Sequence, residues 1–168
     1  MIPKKLREQV EAAWQARLTN PRVFKNAVRK LKVHMEAAQR ARLTNPRALK
    51  HAIRWAERIL PGKPAPDGES DPRWQAIMKI EDFIESQAEG VWVFVRRWGK
   101  HPNPDLRSAI AVLLLEHLLK YHFDLIFPGV VIEVRKSKRF RDTLSRCWKL
   151  GQASKPRNAA KIDRLLRQ

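Results

Sequence analysis

Apolar residues recur along most of this chain at the three- and four-residue steps of an α-helix. Leu106, Ile110, Leu114 and Leu118 form one such series, and side chains at this spacing lie on one helical face. The fold class expected from the pattern is therefore all-α. The predicted helices span about 4–18, 21–42, 46–60, 72–87, 91–99, 104–121, 124–135, 138–150 and 156–167.

One short run departs from the helical pattern. Val91–Val95 is rich in β-branched and aromatic residues, a composition that favours a strand. The rest of the sequence offers no second run to pair with it. We therefore predict a buried helix at this position.

Four predicted helices begin with the same two-residue signal. A side chain that caps helices precedes a proline at Asn20-Pro21, Asn45-Pro46, Asp71-Pro72 and Asn103-Pro104. Asn and Asp accept hydrogen bonds from free backbone N–H groups, and proline suits the first helical position because it has no N–H to satisfy. These pairs fix where the helices start.

The segment 61–70 interrupts the helical pattern with three prolines and two glycines. Such a composition is typical of a linker. We predict that it separates a basic helical arm, residues 1–60, from a helical body, residues 71–151. Gly151 is expected to end a helix, and residues 152–168 are expected to form a basic tail helix.

The same segment occurs twice near the start of the chain, at residues 11–29 and 36–54, with 13 of 19 aligned positions identical. The 25-residue period fits one long helix and a turn per copy. If a helix is duplicated only for packing, the residues on its solvent face are free to change. Here every cation of the first copy is present in the second. The conserved pairs, which indicate a polyanionic partner, are Arg17 and Arg42, Arg22 and Arg47, Lys25 and Lys50, and Arg29 and Arg54.

The net charge of +18 is concentrated at the two ends of the chain. Residues 1–60 hold 15 lysines and arginines against four acidic residues, and residues 134–168 hold 12 against two. Residues 61–133 hold eight against 11. Localised positive charge of this kind is typical of proteins that contact nucleic acids or anionic membranes.

Arginine recurs just inside helix starts, at Arg22, Arg47 and Arg73, and Arg157 follows Pro156 in the same way. A helix N-terminus is already positive, so a cation there is unfavourable unless an anion binds beside it. We therefore predict phosphate contacts. The full predicted nucleic-acid-binding set is Arg17, Arg22, Lys25, Arg29, Arg42, Arg47, Lys50, Arg54, Arg58, Arg73, Lys136, Lys138, Arg139, Arg141 and Arg157.

Two stretches of the body carry a resemblance to a known family. They are Asp71-Pro72-Arg73-Trp74 with Ile77 and Ile84, and Pro104-Asp105-Leu106-Arg107 with Ala109, Leu113 and Leu114. Residues 71–151 resemble the HEAT-like helical repeats, distantly including those of the DNA alkylation-repair glycosylases. The resemblance implies an α-solenoid with a concave surface. Asp105 reads as the turn residue of a repeat, Asp124 as an acid near the rim, and no motif transfers a catalytic role.

Several classes of site are not predicted. Cys147 is the single cysteine, which excludes an internal disulfide and a cysteine-rich zinc site. His117 and His122 are five residues apart and so point to different helical faces; we predict no metal and no cofactor. The longest apolar run, Ala109–Leu115, is too short to cross a bilayer. We predict no membrane contact and a cytoplasmic location.

Three functions follow from these patterns, in order of preference. The first is a non-enzymatic nucleic-acid-binding helical protein that grips the phosphate backbone, as a subunit of a nucleoprotein complex. The second is a HEAT-like adaptor whose body, residues 71–151, binds a protein. The third is a small relative of the DNA-repair glycosylases. The sequence favours neither DNA nor RNA.

Overall fold

Helices account for every regular element in the computed structural model, which describes residues 4–15, 21–66 and 69–167. The predicted all-α fold class is confirmed for these ranges. The elements are α1 (Lys4–Gln15), α2 (Pro21–Thr44), α3 (Pro46–Ile59), α4 (Pro72–Glu81), α5 (Ala88–Trp98), α6 (Pro104–Ala109), a π-helical segment (Ile110–Leu115), α7 (Glu116–Tyr121), α8 (Phe123–Lys136), α9 (Lys138–Ser145), a 3₁₀ turn (Gly151–Ser154) and α10 (Pro156–Arg167).

Three of the predicted helix starts are capped as expected. The side chain of Asn45 accepts the backbone N–H of the residue two positions on at 2.9 Å, and Asp71 and Asn103 do the same at 2.8 and 2.9 Å. Each bond satisfies one N–H that the helix leaves free. The fourth predicted cap, Asn20, lies outside the described residues.

Two helices end earlier than the pattern predicts. α4 stops at Glu81, because backbone bonds between residues three apart tighten the chain into turns that bury Phe83 and Ile84. α9 stops at Ser145, and residues 147–150 are not helical. Gly151 therefore does not end α9; it opens the 3₁₀ turn with a φ of +51°, a conformation that favours glycine. Val91–Val95 lies inside α5, as predicted.

The chain divides after Thr44 into two compact units. In the first unit α1 packs on α2, and the rings of Trp14 and Phe24 meet edge to face with centroids 5.2 Å apart. α2 has no fully buried side chain. Its half-buried positions include Phe24, Ala27, Leu31 and His34, a three- and four-residue spacing that marks one helical face.

The second unit, Asn45–Gln168, is built around one continuous helix formed by α6, the π-helical segment and α7. α4, α5 and α9 all pack on this helix, and α8 packs on α5, α7 and α9. Leu114, Leu115 and Leu118 of the central helix are fully buried. At the end of the π-helical segment the carbonyl of Ala111 accepts a hydrogen bond from the N–H of Glu116. Cys147 Sγ lies 3.5 Å from the same carbonyl oxygen.

This division corrects the predicted one, which placed residues 46–60 in a separate arm. α3 packs on α4 and α5 of the body. Leu49, Ala56 and Leu60 are at most 4% exposed, and burial of that kind joins α3 to the body core. The proline-rich segment therefore connects two helices of one unit.

Candidate nucleic-acid interface

α3 carries one of the two cation stripes, Arg47, Lys50, Arg54 and Arg58. All four are exposed, and their spacing of three and four residues places them on the face opposite Leu49, Ala56 and Leu60. None of the four forms an ion pair with a carboxylate in the described ranges. Arg54 instead approaches its neighbour His51, with Nη2 3.4 Å from Nε2. The tertiary packing of α3 thus fixes the direction in which this stripe faces.

α2 carries the matching stripe, Arg22, Lys25 and Arg29, and these three side chains are also exposed. They lie off the half-buried series of α2. Arg42, near the end of the same helix, is exposed as well. Arg17, the remaining predicted cation of the duplicated segment, lies outside the described residues.

The predicted C-terminal cations lie on three helices. Lys136 ends α8, Lys138 and Arg139 open α9, and Arg157 opens α10; all four are exposed. Arg141 differs, because it is half-buried and its Nε is buried without a hydrogen-bond partner among the described atoms. The exposed members are available to an external anion.

Arg73 is the exception, and its predicted phosphate contact is corrected. The residue is 2% exposed. Its guanidinium donates to Asp71 with an Nη2–Oδ2 distance of 2.5 Å and to Asp105 with an Nη2–Oδ2 distance of 2.7 Å. The hydrogen bond from Arg73 holds the pKa of Asp71 below its usual value. Asp105 also accepts from Trp74 Nε1 at 3.3 Å. Arg73 therefore joins α4 to α6, and its burial keeps it from an external phosphate.

Two further ionic clusters hold helices of the body together. Glu133 on α8 is 3% exposed and accepts from Arg96 and Lys100 at 3.2 and 2.9 Å. Burial acts to raise the pKa of Glu133, but the two cations outweigh it and the pKa is lowered. Asp142 on α9 pairs with Arg107 and Arg146. The hydrogen bond from Arg146, with that from Arg107, lowers the pKa of Asp142 although burial opposes it.

These clusters sort the cations of the body into two classes. Arg73, Arg96, Lys100 and Arg107 contact carboxylates of other helices. Arg146 contacts Asp142 of its own helix and Ser108 of α6, and all these contacts stabilise the packing. The exposed cations of the α3 stripe form no ion pair with a carboxylate among the described residues. Sequence spacing could not separate the classes, because the carboxylate partners of Arg96 and Arg107 are 37 and 35 residues away.

Trp148 is one of the body tryptophans for which the sequence favours core packing, with base stacking as the functional alternative. Trp148 is 75% exposed, the highest value among the large hydrophobic residues in the described ranges. The predicted helix 138–150 includes Trp148, but α9 ends at Ser145. The sequence signal for an exposed position is its place between Arg146 and Lys149 in the basic 134–168 segment.

Among the described residues, no cluster of three or more His, Cys, Asp or Glu side chains is placed to hold a metal ion. None of the described helices has both the length and the apolar character required to span a bilayer. In comparisons with protein-family models, with curated proteins and with solved structures, nothing matches this chain. The resemblance to HEAT repeats accordingly stays a prediction.

Proposed function

We propose that this protein binds nucleic acid through the phosphate backbone and has no enzymatic role. One observation carries the proposal. Two helices in different compact units present the same duplicated cations, Arg22, Lys25 and Arg29 on α2 and Arg47, Lys50 and Arg54 on α3, and all six side chains are exposed. Exposed cations attract anions at a low desolvation cost.

Phosphate is the anion that fits this arrangement best. The cations recur along helical faces, so they suit a ligand that repeats its charge along its length. A nucleic-acid strand is such a ligand, with one negative charge per phosphate. The chain adds a net charge of +18, which speeds the approach of a polyanion at low salt. Binding of this type is largely independent of base sequence.

A salt titration of the intact protein tests the proposal. Labelled duplex DNA is titrated at four salt concentrations from low to moderate ionic strength, and affinity is read from fluorescence anisotropy. The logarithm of affinity should fall linearly with the logarithm of salt, by about 0.9 per phosphate contacted. A slope of about −4 or steeper is the expected result. An affinity that hardly changes with salt contradicts backbone binding.

A second candidate, a protein adaptor, is favoured by a specific feature of the body. Leu125, Pro128 and Ile132 are exposed at three- and four-residue steps on α8. Val93 on the adjacent α5 is 64% exposed. An apolar stripe of this kind is a common protein-docking surface. If the salt titration shows no backbone binding, the adaptor function takes first place.

A further inference from the structure

Trp148 is held in place although its side chain is exposed. Its backbone N–H donates to Glu116 Oε2 at 2.8 Å, and Glu116 is itself only 6% exposed. On either side, Cys147 Sγ lies 3.5 Å from the carbonyl of Ala111, and Lys149 Nζ pairs with Asp163. The exposure of the indole is therefore a property of an anchored segment and does not arise from a loose chain end.

Exposure alternates along the non-helical residues 147–150 and shows which way the indole faces. Residues 147–150 are not helical, and Leu150 has extended dihedral angles of −112° and 156°. Successive side chains of an extended chain point to opposite sides. Cys147 and Lys149 contact the protein, while Trp148 and Leu150 are 75% and 39% exposed. The two apolar side chains consequently face solvent.

The charge of the chain segment that carries Trp148 indicates which partner such a ring meets. Trp148 lies within residues 134–168, which hold 12 lysines and arginines against two acidic residues. Lys155 and Arg157 follow closely and are exposed. Cations that attract a phosphate backbone, together with an aromatic face, are the two components of sites that bind single-stranded nucleic acid.

We infer that Trp148 stacks on an unpaired base of single-stranded DNA or RNA. The inference rests on the proposed backbone binding and adds a preference for unpaired strands. In a duplex the base faces are already stacked on one another, so an anchored ring has no free face to contact. In a single strand the bases are open, and an indole accepts any of them because every base has a π-face.

The test compares Trp148→Ala, Trp148→Phe and a control, Met78→Ala, which removes an exposed apolar side chain from α4. Fluorescence anisotropy measures binding to a labelled oligothymidylate and to a duplex of equal length, each about 20 units long, at several salt concentrations. Circular dichroism and thermal unfolding verify that each variant is folded. Because the indole is mostly exposed, its removal should change stability little.

Trp148→Ala should weaken oligothymidylate binding about 5- to 100-fold, the effect of losing one stacked base. Duplex affinity should change less than about twofold, and the salt slope should be unchanged because no phosphate contact is lost. Trp148→Phe should retain most of the affinity, and Met78→Ala should match the wild type.

Three outcomes overturn the inference and leave the proposed backbone binding in place. If wild-type protein binds both probes with a steep salt slope and Trp148→Ala binds as tightly, backbone binding stands and stacking fails. If Trp148→Ala weakens both probes equally, the indole does not distinguish unpaired bases. If it leaves binding intact but changes the sedimentation of the protein, the indole is a protein contact. Absence of any nucleic-acid binding by the wild type removes the proposed function and the inference together.

Discussion

At the scale of single residues, Arg47 and Arg73 follow the same local signal but differ in their carboxylate partners. Asn45-Pro46-Arg47 and Asp71-Pro72-Arg73 have the same arrangement. The cap of Arg73 is a carboxylate, which its guanidinium contacts, and Asp105 supplies a second carboxylate from α6. The cap of Arg47 is a neutral amide, and its side chain stays exposed.

This difference leads to a matched pair of substitutions. Arg73→Met should lower the free energy of unfolding by about 1.5–3 kcal/mol, because the partly exposed carboxylates of Asp71 and Asp105 lose their charged hydrogen-bond donor. Arg47→Met should change it by less than about 0.5 kcal/mol, as exposed substitutions usually do. Urea unfolding followed by circular dichroism measures both.

In a binding measurement the order of the two variants should be reversed, with Arg47→Met the one that loses affinity. Folded Arg73→Met protein should bind duplex DNA like the wild type, whereas Arg47→Met should bind more weakly and flatten the salt slope by about one unit. A loss of affinity in folded Arg73→Met protein would show that Arg73 contacts phosphate after all.

At the scale of an element, α3 combines two roles on opposite faces. Leu49, Ala56 and Leu60 are buried against the body. The cation stripe lies on the far side, so its charges can change without disturbing the packing. Replacing Arg47, Lys50 and Arg54 together with glutamine should therefore reduce duplex affinity by at least tenfold at low salt and flatten the salt slope by about three units.

The control for this prediction is a pair of exposed cations outside the predicted set, Arg164 and Arg167 on α10. Changing both to glutamine tests the effect of lowered net charge alone and should weaken binding less per charge removed. Thermal unfolding should show both variants as stable as the wild type. Equal effects per charge would mean that net charge alone, and not the α3 stripe, controls binding.

At the scale of the whole molecule, the compact unit beginning at Asn45 includes α3. A fragment of residues 45–168 should unfold cooperatively in urea. A fragment of residues 71–168 should be about 3–6 kcal/mol less stable, because it lacks the burial of Leu49, Ala56 and Leu60 against α4 and α5.

The comparison of fragments also decides between the observed and the predicted division of the chain. If the two fragments are equally stable, the predicted division of the chain at the proline-rich segment is correct and α3 is not part of the body. A binding measurement on the 45–168 fragment then gives the contribution of α3 without the α2 stripe. Its salt slope should be shallower than that of the intact protein, since the α2 cations are absent.

The sequence alone determined the local features of this protein. Helical spacing, the Asn-Pro and Asp-Pro caps and the break at 61–70 depend on neighbouring residues, so they could be predicted. The 24 residues of α2 and the single residue Asn45 together make up one 25-residue period of the duplication. The two cation stripes were likewise visible as a repeated spacing.

The tertiary structure alone decided what each copy of the duplicated segment does. Phe24 and Leu49 occupy the same position of the repeat, yet Leu49 is 4% exposed and Phe24 is only half-buried. Burial depends on α4 and α5, which contact α3 and come from distant sequence. The same holds for Arg73, whose partner Asp105 is 32 residues away. Local pattern encodes which residues are charged or apolar, and long-range packing selects which of them remain available to a partner.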